Sequence, residues 1–365
     1  MLTHNNLWDK ICSFQNLLSA AEKAQKGKRF QDNVGRFNFN LEAELLLLQN
    51  ELQNQAYQPG LYRSFYIYEP KKRMISAAPY RDRVVHHALC NIIEPIFDKI
   101  FISDSYANRK GKGTHKAVNR FSEFCKKNKY VLKCDIKKYF PSIDHQILYN
   151  LLAKRITDQK CLWFIKLIID SSNPQEEVIR YFDSDNLFTP CERRRGLPIG
   201  NLTSQFFANI YLNEFDHFVK EQLKCRYYIR YVDDFVVLDD DKDRLHKVKN
   251  NIERYLEVLR LRLHPRKCHI FPVTQGTNFL GYRIFPTHRL LNKDNIRRFK
   301  KRLSRFQQFY AAGMLALDKL TASIRSWIAH ASHADTYGLR QWLLGAIKFI
   351  RQESNKDVKS ISQEG

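Results

Sequence analysis

Three carboxylates carry the first chemical signal. Asp233 and Asp234 are adjacent within RYYIRYVDDFVVLDD, residues 226–240, and Asp135 lies 98 residues earlier, near the end of the apolar run YVLKCDI at 130–136. Carboxylates set among β-branched and aromatic residues are costly to bury without a partner. A divalent cation is the partner that best accounts for two of them side by side. Two such ions about 3.5–4 Å apart activate a hydroxyl and steady a leaving phosphate, the requirement for joining a 3′-hydroxyl to a nucleoside triphosphate. Taken alone, the Asp233-Asp234 pair also fits an ordinary turn, which Asp favours.

Positioning these acids requires strand ends. Tyr227–Val232 and Phe235–Leu238 are short runs around a polar dipeptide, which predicts a tight hairpin with Asp233 and Asp234 at its tip. Tyr130–Ile136 reads as a buried strand, followed by a turn over Lys137–Asp144 and a helix over Ile143–Ile156. Before it, helices are expected over Leu7–Lys26, Leu41–Ala56 and Asp82–Ile100. Strands are expected over Tyr62–Tyr68 and Arg73–Ala78, joined by the turn Glu69–Lys72. SDSYANRKGKGTH, residues 103–115, suits a phosphate-following loop or a plain solvated one. Later helices are expected at Cys161–Ile169, Leu202–Val219, Asp241–Leu261, Asp294–Tyr310, Leu317–Ala331 and Thr336–Glu353, with strands at Lys267–Pro272 and Thr277–Phe285. The segment Ser171–Arg195 is polar, with Pro174 and Pro190, and Ser354–Gly365 reads as disordered. The middle is not a steady strand–helix alternation, which argues against a doubly wound dinucleotide fold and for an α+β one.

Composition sets the partner. The 365 residues carry a formal net charge of +23, and 44% are hydrophobic. A chain of this length builds two or three subdomains with a substantial core. An excess of positive charge this large implies a polyanion, nucleic acid being the commonest. No run approaches the length of a spanning helix, and the N-terminus lacks a secretory pattern. Eight cysteines are scattered with no Cys-x-x-Cys pair, which disfavours a zinc ribbon or disulfide framework and suits reduced packing residues in a cytoplasmic protein. His86 and His87 are adjacent on an expected helix and point apart, poor spacing for a metal.

VLKCDIKKYFPSID, GLPIGNLTSQFFANIYLN, YVDD and FLGYRIF, in this order, resemble the motifs of the reverse transcriptases. The resemblance implies a right-hand polymerase: a helical extension over 1–60, fingers over 61–129, a palm over 130–285 whose antiparallel sheet carries the acids, and a helical basic thumb over 286–353. A finger-like segment at 160–200 would interrupt the palm, and 354–365 would be a disordered tail. It implies two Mg²⁺ ions, with Mn²⁺ as a substitute, held by Asp135, Asp233 and Asp234 and by the backbone carbonyl of Ile136. Lys72 and Arg73 match residues that grip the incoming triphosphate, with Lys71 able to take the same register. Phe140 matches the side chain that excludes a 2′-hydroxyl, core packing being its other reading. Lys267 matches a lysine near the leaving pyrophosphate, or is simply solvated. Ile199 and Gly200 complete the nucleotide-binding set, and Arg81, Arg83, Asn201, Ser204, Gln205, Tyr231, Gly281, Tyr282, Arg297, Arg298 and Lys301 that for template and primer.

Many reverse transcriptases carry glutamine after Leu-Pro; here Leu197-Pro198 is followed by Ile199. LPIGNLTSQ resembles the enzymes of diversity-generating retroelements, prokaryotic or phage-encoded, which copy a template-repeat RNA into cDNA with errors opposite adenine. That resemblance implies template RNA, primer and dNTPs as partners, and a small basic helical accessory protein in an oligomeric assembly. Two alternatives stand beside it: a defence-type bacterial reverse transcriptase of the retron or abortive-infection kind, and a catalytically idle nucleic-acid scaffold.

Overall fold

The computed structural model describes residues 3–69, 71–173, 175–176, 178–183 and 185–351. Pro70 of the expected turn, Pro174 of the polar segment and the expected disordered tail lie outside the described residues. The chain divides into two compact units, residues 1–113 with 132–270, and residues 114–131 with 271–365.

The first unit begins with α1 (Trp8–Cys12), α2 (Phe14–Ala24), α3 (Asp32–Phe39) and α4 (Leu41–Gln53). The single helix expected over Leu7–Lys26 is two. Ser13 between them takes an extended conformation, and its hydroxyl accepts from the Asn16 N–H at 3.3 Å, capping α2. The short α3 was not anticipated. An antiparallel ribbon of β1 (Arg63–Ile67) and β2 (Arg73–Ala77) follows, with Arg63 opposite Ala77 and Ile67 opposite Arg73. The long α5 (Tyr80–Asp98) then buries Val84, Val85, Leu89, Ile93 and Phe97 at the centre of the unit.

α6 (Thr114–Cys125), also unanticipated, precedes β3 (Tyr130–Asp135). After a single helical turn, α7 (Tyr139–Ser142), come α8 (His145–Ala153), capped by Asp144, and α9 (Gln159–Asp170), capped by Asp158. Beyond α10 (Thr189–Glu192), the helix expected over Leu202–Val219 is interrupted. α11 (Leu202–Tyr211) gives way at Leu212 to α12 (Asn213–His217), and a π-helical turn spans Phe218–Gln222. Such i→i+5 turns re-aim side chains within a helix; here Asp216 of α12 faces Arg230.

The hairpin forms from β4 (Tyr227–Tyr231) and β5 (Asp234–Asp239), with Tyr231 opposite Asp234. Its two-residue loop is therefore Val232-Asp233, one residue earlier than expected, and Asp234 opens β5. Val232 has φ +57°, the left-handed region that a β-branched residue rarely adopts. After α13 (Lys242–Val258), β6 (His269–Pro272) completes a sheet of order β4-β5-β3-β6.

The second unit holds α6 and an antiparallel sheet of β7 (Thr277–Phe279), β8 (Tyr282–Ile284) and the unanticipated β9 (Arg289–Leu291). α14 (Lys293–Ala311), α15 (Leu317–Ala331) and α16 (Tyr337–Gly345) follow. The last ends at Gly345, short of the expected Glu353, where glycine lowers helix propensity. The mixed helix and antiparallel-sheet class agrees with the α+β expectation. Among the described residues no helix is long and apolar enough to cross a membrane, no disulfide joins the cysteines, and Cys191 alone of the eight is exposed. His86 is buried and neutral, its pKa lowered to about 3 by desolvation and by His87 and Arg83.

Candidate active site

Asp135 ends β3, Asp233 sits in the hairpin loop and Asp234 begins β5, and the sheet brings the three together. The joint is a backbone one: the Ile136 N–H donates to the Asp233 carbonyl at 3.1 Å. Burial raises the Asp233 carboxyl to about 6, helped by the neighbouring charges of Asp135 and Asp234 and opposed by Arg73. Asp234 is raised as well, by burial first and then by Asp135, while Lys133, Lys267 and Lys71 oppose the shift. Like charges this close disfavour one another's ionised forms.

The acids are only partly compensated. Asp135 Oδ2 accepts from Lys267 Nζ at 2.8 Å. Asp234 Oδ1 is buried without a hydrogen bond, and the nearest cation to it is Lys133 Nζ at 3.9 Å. Among the described residues no group of three or more His, Cys, Asp or Glu side chains is arranged to hold a metal ion as it stands; Lys267 holds one of the three acids. Hard oxygen donors, mutual repulsion and an orphaned buried oxygen are nonetheless the donor chemistry that suits Mg²⁺. Lys133 is the contributor that sequence reasoning missed. It lies two residues before Asp135 on the same strand, so period-two alternation puts both on one face.

The remaining anticipated residues fall into three groups. Near the acids, Arg73 opens β2 and acts electrostatically on Asp233, as Lys71 does on Asp234. Lys72 instead lies over the Tyr66 ring at 4.7 Å, so the alternative register through Lys71 is the one that reaches the acids. Phe140 is half-buried in α7, and its carbonyl accepts from the Leu197 N–H at 3.0 Å. Tyr231 ends β4 opposite Asp234.

A second group is engaged by the protein itself. The Ile199 carbonyl accepts from the Ser76 N–H at 2.9 Å, tying its loop to β2. A Cβ on Gly200, at φ +118°, would stand 2.9 Å from Ile75 Cγ2, so only glycine fits there without displacement. Asn201 is buried, its amide clamping the backbone of Ala78 and Ser76 at 3.2 and 3.0 Å. Ser204 is buried in α11, where Gln205 is half-buried. Arg81 pairs with Glu51, and Arg83 Nε donates to the Ala78 carbonyl at 2.9 Å. The structure thus gives Asn201, Arg81 and Arg83 internal partners.

The third group belongs to the second unit. Gly281, at φ +91°, turns β7 into β8, and the Tyr282 hydroxyl donates to the His330 carbonyl at 2.8 Å. Arg297, Arg298 and Lys301 are exposed on α14, whose opposite face buries Phe299 and Leu303.

Three relatives place this geometry. YkfC of Escherichia coli (strain K12) is 27% identical over 284 residues, covering 67% of this chain and 72% of that protein. The group II intron-encoded protein LtrA of Lactococcus lactis subsp. cremoris is 26% identical over 218 residues, 59% of this chain and 34% of LtrA. An uncharacterized 91 kDa protein in the cob intron of Schizosaccharomyces pombe is 30% identical over 156 residues, covering 43% of this chain and 18% of that protein. The chain therefore spans most of YkfC but only about a third of LtrA and under a fifth of the cob intron protein. The family model for reverse transcriptase (RNA-dependent DNA polymerase) matches residues 68–284, a stretch that contains all three acids, Lys267 and the LPIGN loop. Enzymes of this kind act on template RNA and a primer with dNTPs. With more than half of its length matched and its strand-end acids in one sheet, the chain belongs to the reverse transcriptase family.

Proposed function

We propose that the chain is the RNA-directed DNA polymerase of a diversity-generating retroelement, copying a template-repeat RNA into cDNA with errors opposite adenine. The observation that carries the polymerase reading is the bond from Ile136 N–H to the Asp233 carbonyl, because it sets the acid of β3 beside those of the hairpin. Asp135, Asp233 and the Ile136 carbonyl would hold two Mg²⁺ ions, with Asp234 beside them. When bound, the ions supply a nucleophilic 3′-oxygen and charge stabilisation for the leaving pyrophosphate.

The chain's own side chains do the rest. Arg73 and Lys71 bind the triphosphate, the first as a planar fork and the second as a compact charge. Phe140 closes the space under the sugar against a 2′-hydroxyl. Lys267 passes from Asp135 to the pyrophosphate and donates its proton there. Residues 61–129 serve as fingers, 130–285 as palm and 286–353 as thumb, with the exposed cations of α14 along the duplex phosphates. A small basic accessory protein joins the RNA-bound enzyme.

The retroelement assignment is supported by LPIGNLTSQ, in which Ile199 offers no hydrogen bond to the nucleotide or template. An intron-type enzyme is the second reading, favoured by the match to a group II intron-encoded protein. Sequencing cDNA made by the purified protein on a supplied RNA separates them. Substitutions concentrated opposite adenine support the retroelement reading; an even error spectrum supports the intron-type or a defence-type enzyme. No synthesis with Mg²⁺ present leaves a nucleic-acid scaffold.

A further inference from the structure

Two thiols lie in contact directly behind the acids. Cys134 Sγ and Cys268 Sγ are 2.9 Å apart. Cys134 is in β3, fully buried, one residue before Asp135; Cys268 immediately precedes β6, one residue after Lys267, and is 8% exposed. β3 and β6 are neighbours in the sheet, with β6 at its edge. The residues flanking the two sulfurs are thus the partners of the 2.8 Å ion pair between Lys267 and Asp135. Apolar packing alone does not require two cysteines to face each other at this spot.

We propose that Cys134 and Cys268 are a reversible oxidation site, joined by hydrogen peroxide or a similar small hydroperoxide into a disulfide that holds Lys267 on Asp135. Cys268, the less deeply buried of the two thiols, reacts first. Its thiolate attacks one peroxide oxygen, the O–O bond breaks, and water leaves with the thiol proton, giving a sulfenic acid. Cys134 then attacks that sulfur and the sulfenic oxygen departs as a second water. Two thiols lose two electrons, and one peroxide is reduced to two waters. A dithiol reverses the step by thiol–disulfide exchange.

The consequence follows from the strand pairing. A covalent bond one residue behind Asp135 and one beyond Lys267 fixes the distance between the two strands. The Lys267 stem is then kept beside Asp135, which favours their ion pair over release of Asp135 to another cation. That consequence rests on the polymerase reading above; formation of the bond does not.

The test uses the full chain with Cys191→Ser, which removes the exposed thiol and its intermolecular products. Peroxide treatment, alkylation and non-reducing digestion should yield a peptide linking Cys134 to Cys268, and dithiothreitol should abolish it. In parallel, primed cDNA synthesis should fall by about tenfold or more on oxidation and recover on reduction. Adding Cys268→Ser should leave synthesis intact before and after peroxide, with a C134A chain as the second control. Absence of the linked peptide overturns the site. A linked peptide with unchanged synthesis overturns its effect on Asp135, and loss of synthesis that persists in the Cys268→Ser chain assigns the damage elsewhere. A chain that makes no cDNA before treatment counts against the polymerase reading instead, and the peptide still decides the site.

Discussion

Two charge centres, one fully buried and one half-buried, share one hairpin and are treated in opposite ways. Arg230, in β4, and Asp216, in α12, are both fully buried. Arg230 Nε and Nη2 donate to the two Asp216 oxygens at 2.7 and 2.6 Å, Nη1 donates to the Val232 carbonyl and the Asn209 side chain, and the Tyr228 hydroxyl donates to Asp216 Oδ1 at 2.6 Å. Burial alone would lower the guanidinium pKa, yet Asp216 raises it. Three residues further on, Asp233 is raised to about 6 and Asp234 Oδ1 has no hydrogen bond. The chain can evidently satisfy a buried ion pair in this hairpin, so charge left unsatisfied at its tip marks a partner from outside.

The largest expected effect lies in the satisfied centre. Removing one member of a buried pair leaves the other uncompensated and costs about 3–5 kcal/mol, a large part of a domain's stability. Arg230→Ala and Asp216→Ala should each unfold at much lower denaturant than the parent, measured by circular dichroism in urea. The double variant Arg230→Met with Asp216→Leu should cost less than either single change, since no lone charge remains. Full stability in the single variants would erase the contrast between the two centres.

The tip should behave the other way round. Asp233→Asn removes an uncompensated charge, so the metal-free protein should be at least as stable as the parent. Synthesis of cDNA should fall by about 10³-fold or more, the scale of losing a group that stabilises transition-state charge. RNA binding should survive, because the proposed phosphate contacts lie on other residues. Mg²⁺ at about 100 times its dissociation constant should stabilise the parent by about 2.7 kcal/mol over chelator, and Asp233→Asn by much less. Equal thermal shifts in the two chains would mean that the ion binds somewhere else.

The contrast also explains what could be read ahead of the structure. Acids at the ends of apolar runs are visible because strands announce themselves by composition, and the convergence of Asp135 with the hairpin came from that pattern. The Arg230–Asp216 pair was not visible, since it depends on where helix register breaks at Leu212 and Phe218, which local periodicity does not encode. The expected hairpin tip lies one residue beyond the observed loop because nothing in the sequence marks Val232, a β-branched residue, for a left-handed conformation. The motif resemblance assigns Asn201 to the template, and its burial with hydrogen bonds to Ser76 and Ala78 is a tertiary property that the motif does not encode.

Lys267 sits between the two regimes, a partner for Asp135 that the proposed chemistry requires to leave. Lys267→Ala should therefore split two measurements. Apparent Mg²⁺ affinity should tighten as Asp135 is released, while turnover falls by about 10²-fold from loss of the proton donor. A loss of turnover with weakened Mg²⁺ affinity would make the lysine an organiser of the acids rather than their competitor.

The smallest effect is expected in the loop at Gly196–Asn201, where the same contrast recurs between two residues flanking Gly200. Asn201 has both ends of its amide engaged by the backbone of Ser76 and Ala78, while Ile199 fixes the loop through its backbone and has no polar side-chain atom. Ile199→Gln keeps the backbone bond to Ser76 and restores a donor and an acceptor, so folding should be unchanged. One added hydrogen bond of about 1 kcal/mol discriminates correct from incorrect pairing by somewhat under tenfold. Errors opposite adenine in sequenced cDNA should drop by about that factor, with errors opposite the other bases little altered. An unchanged spectrum would show that the missing polar group at position 199 does not set fidelity, and the retroelement reading would lose its main support while the polymerase reading stood.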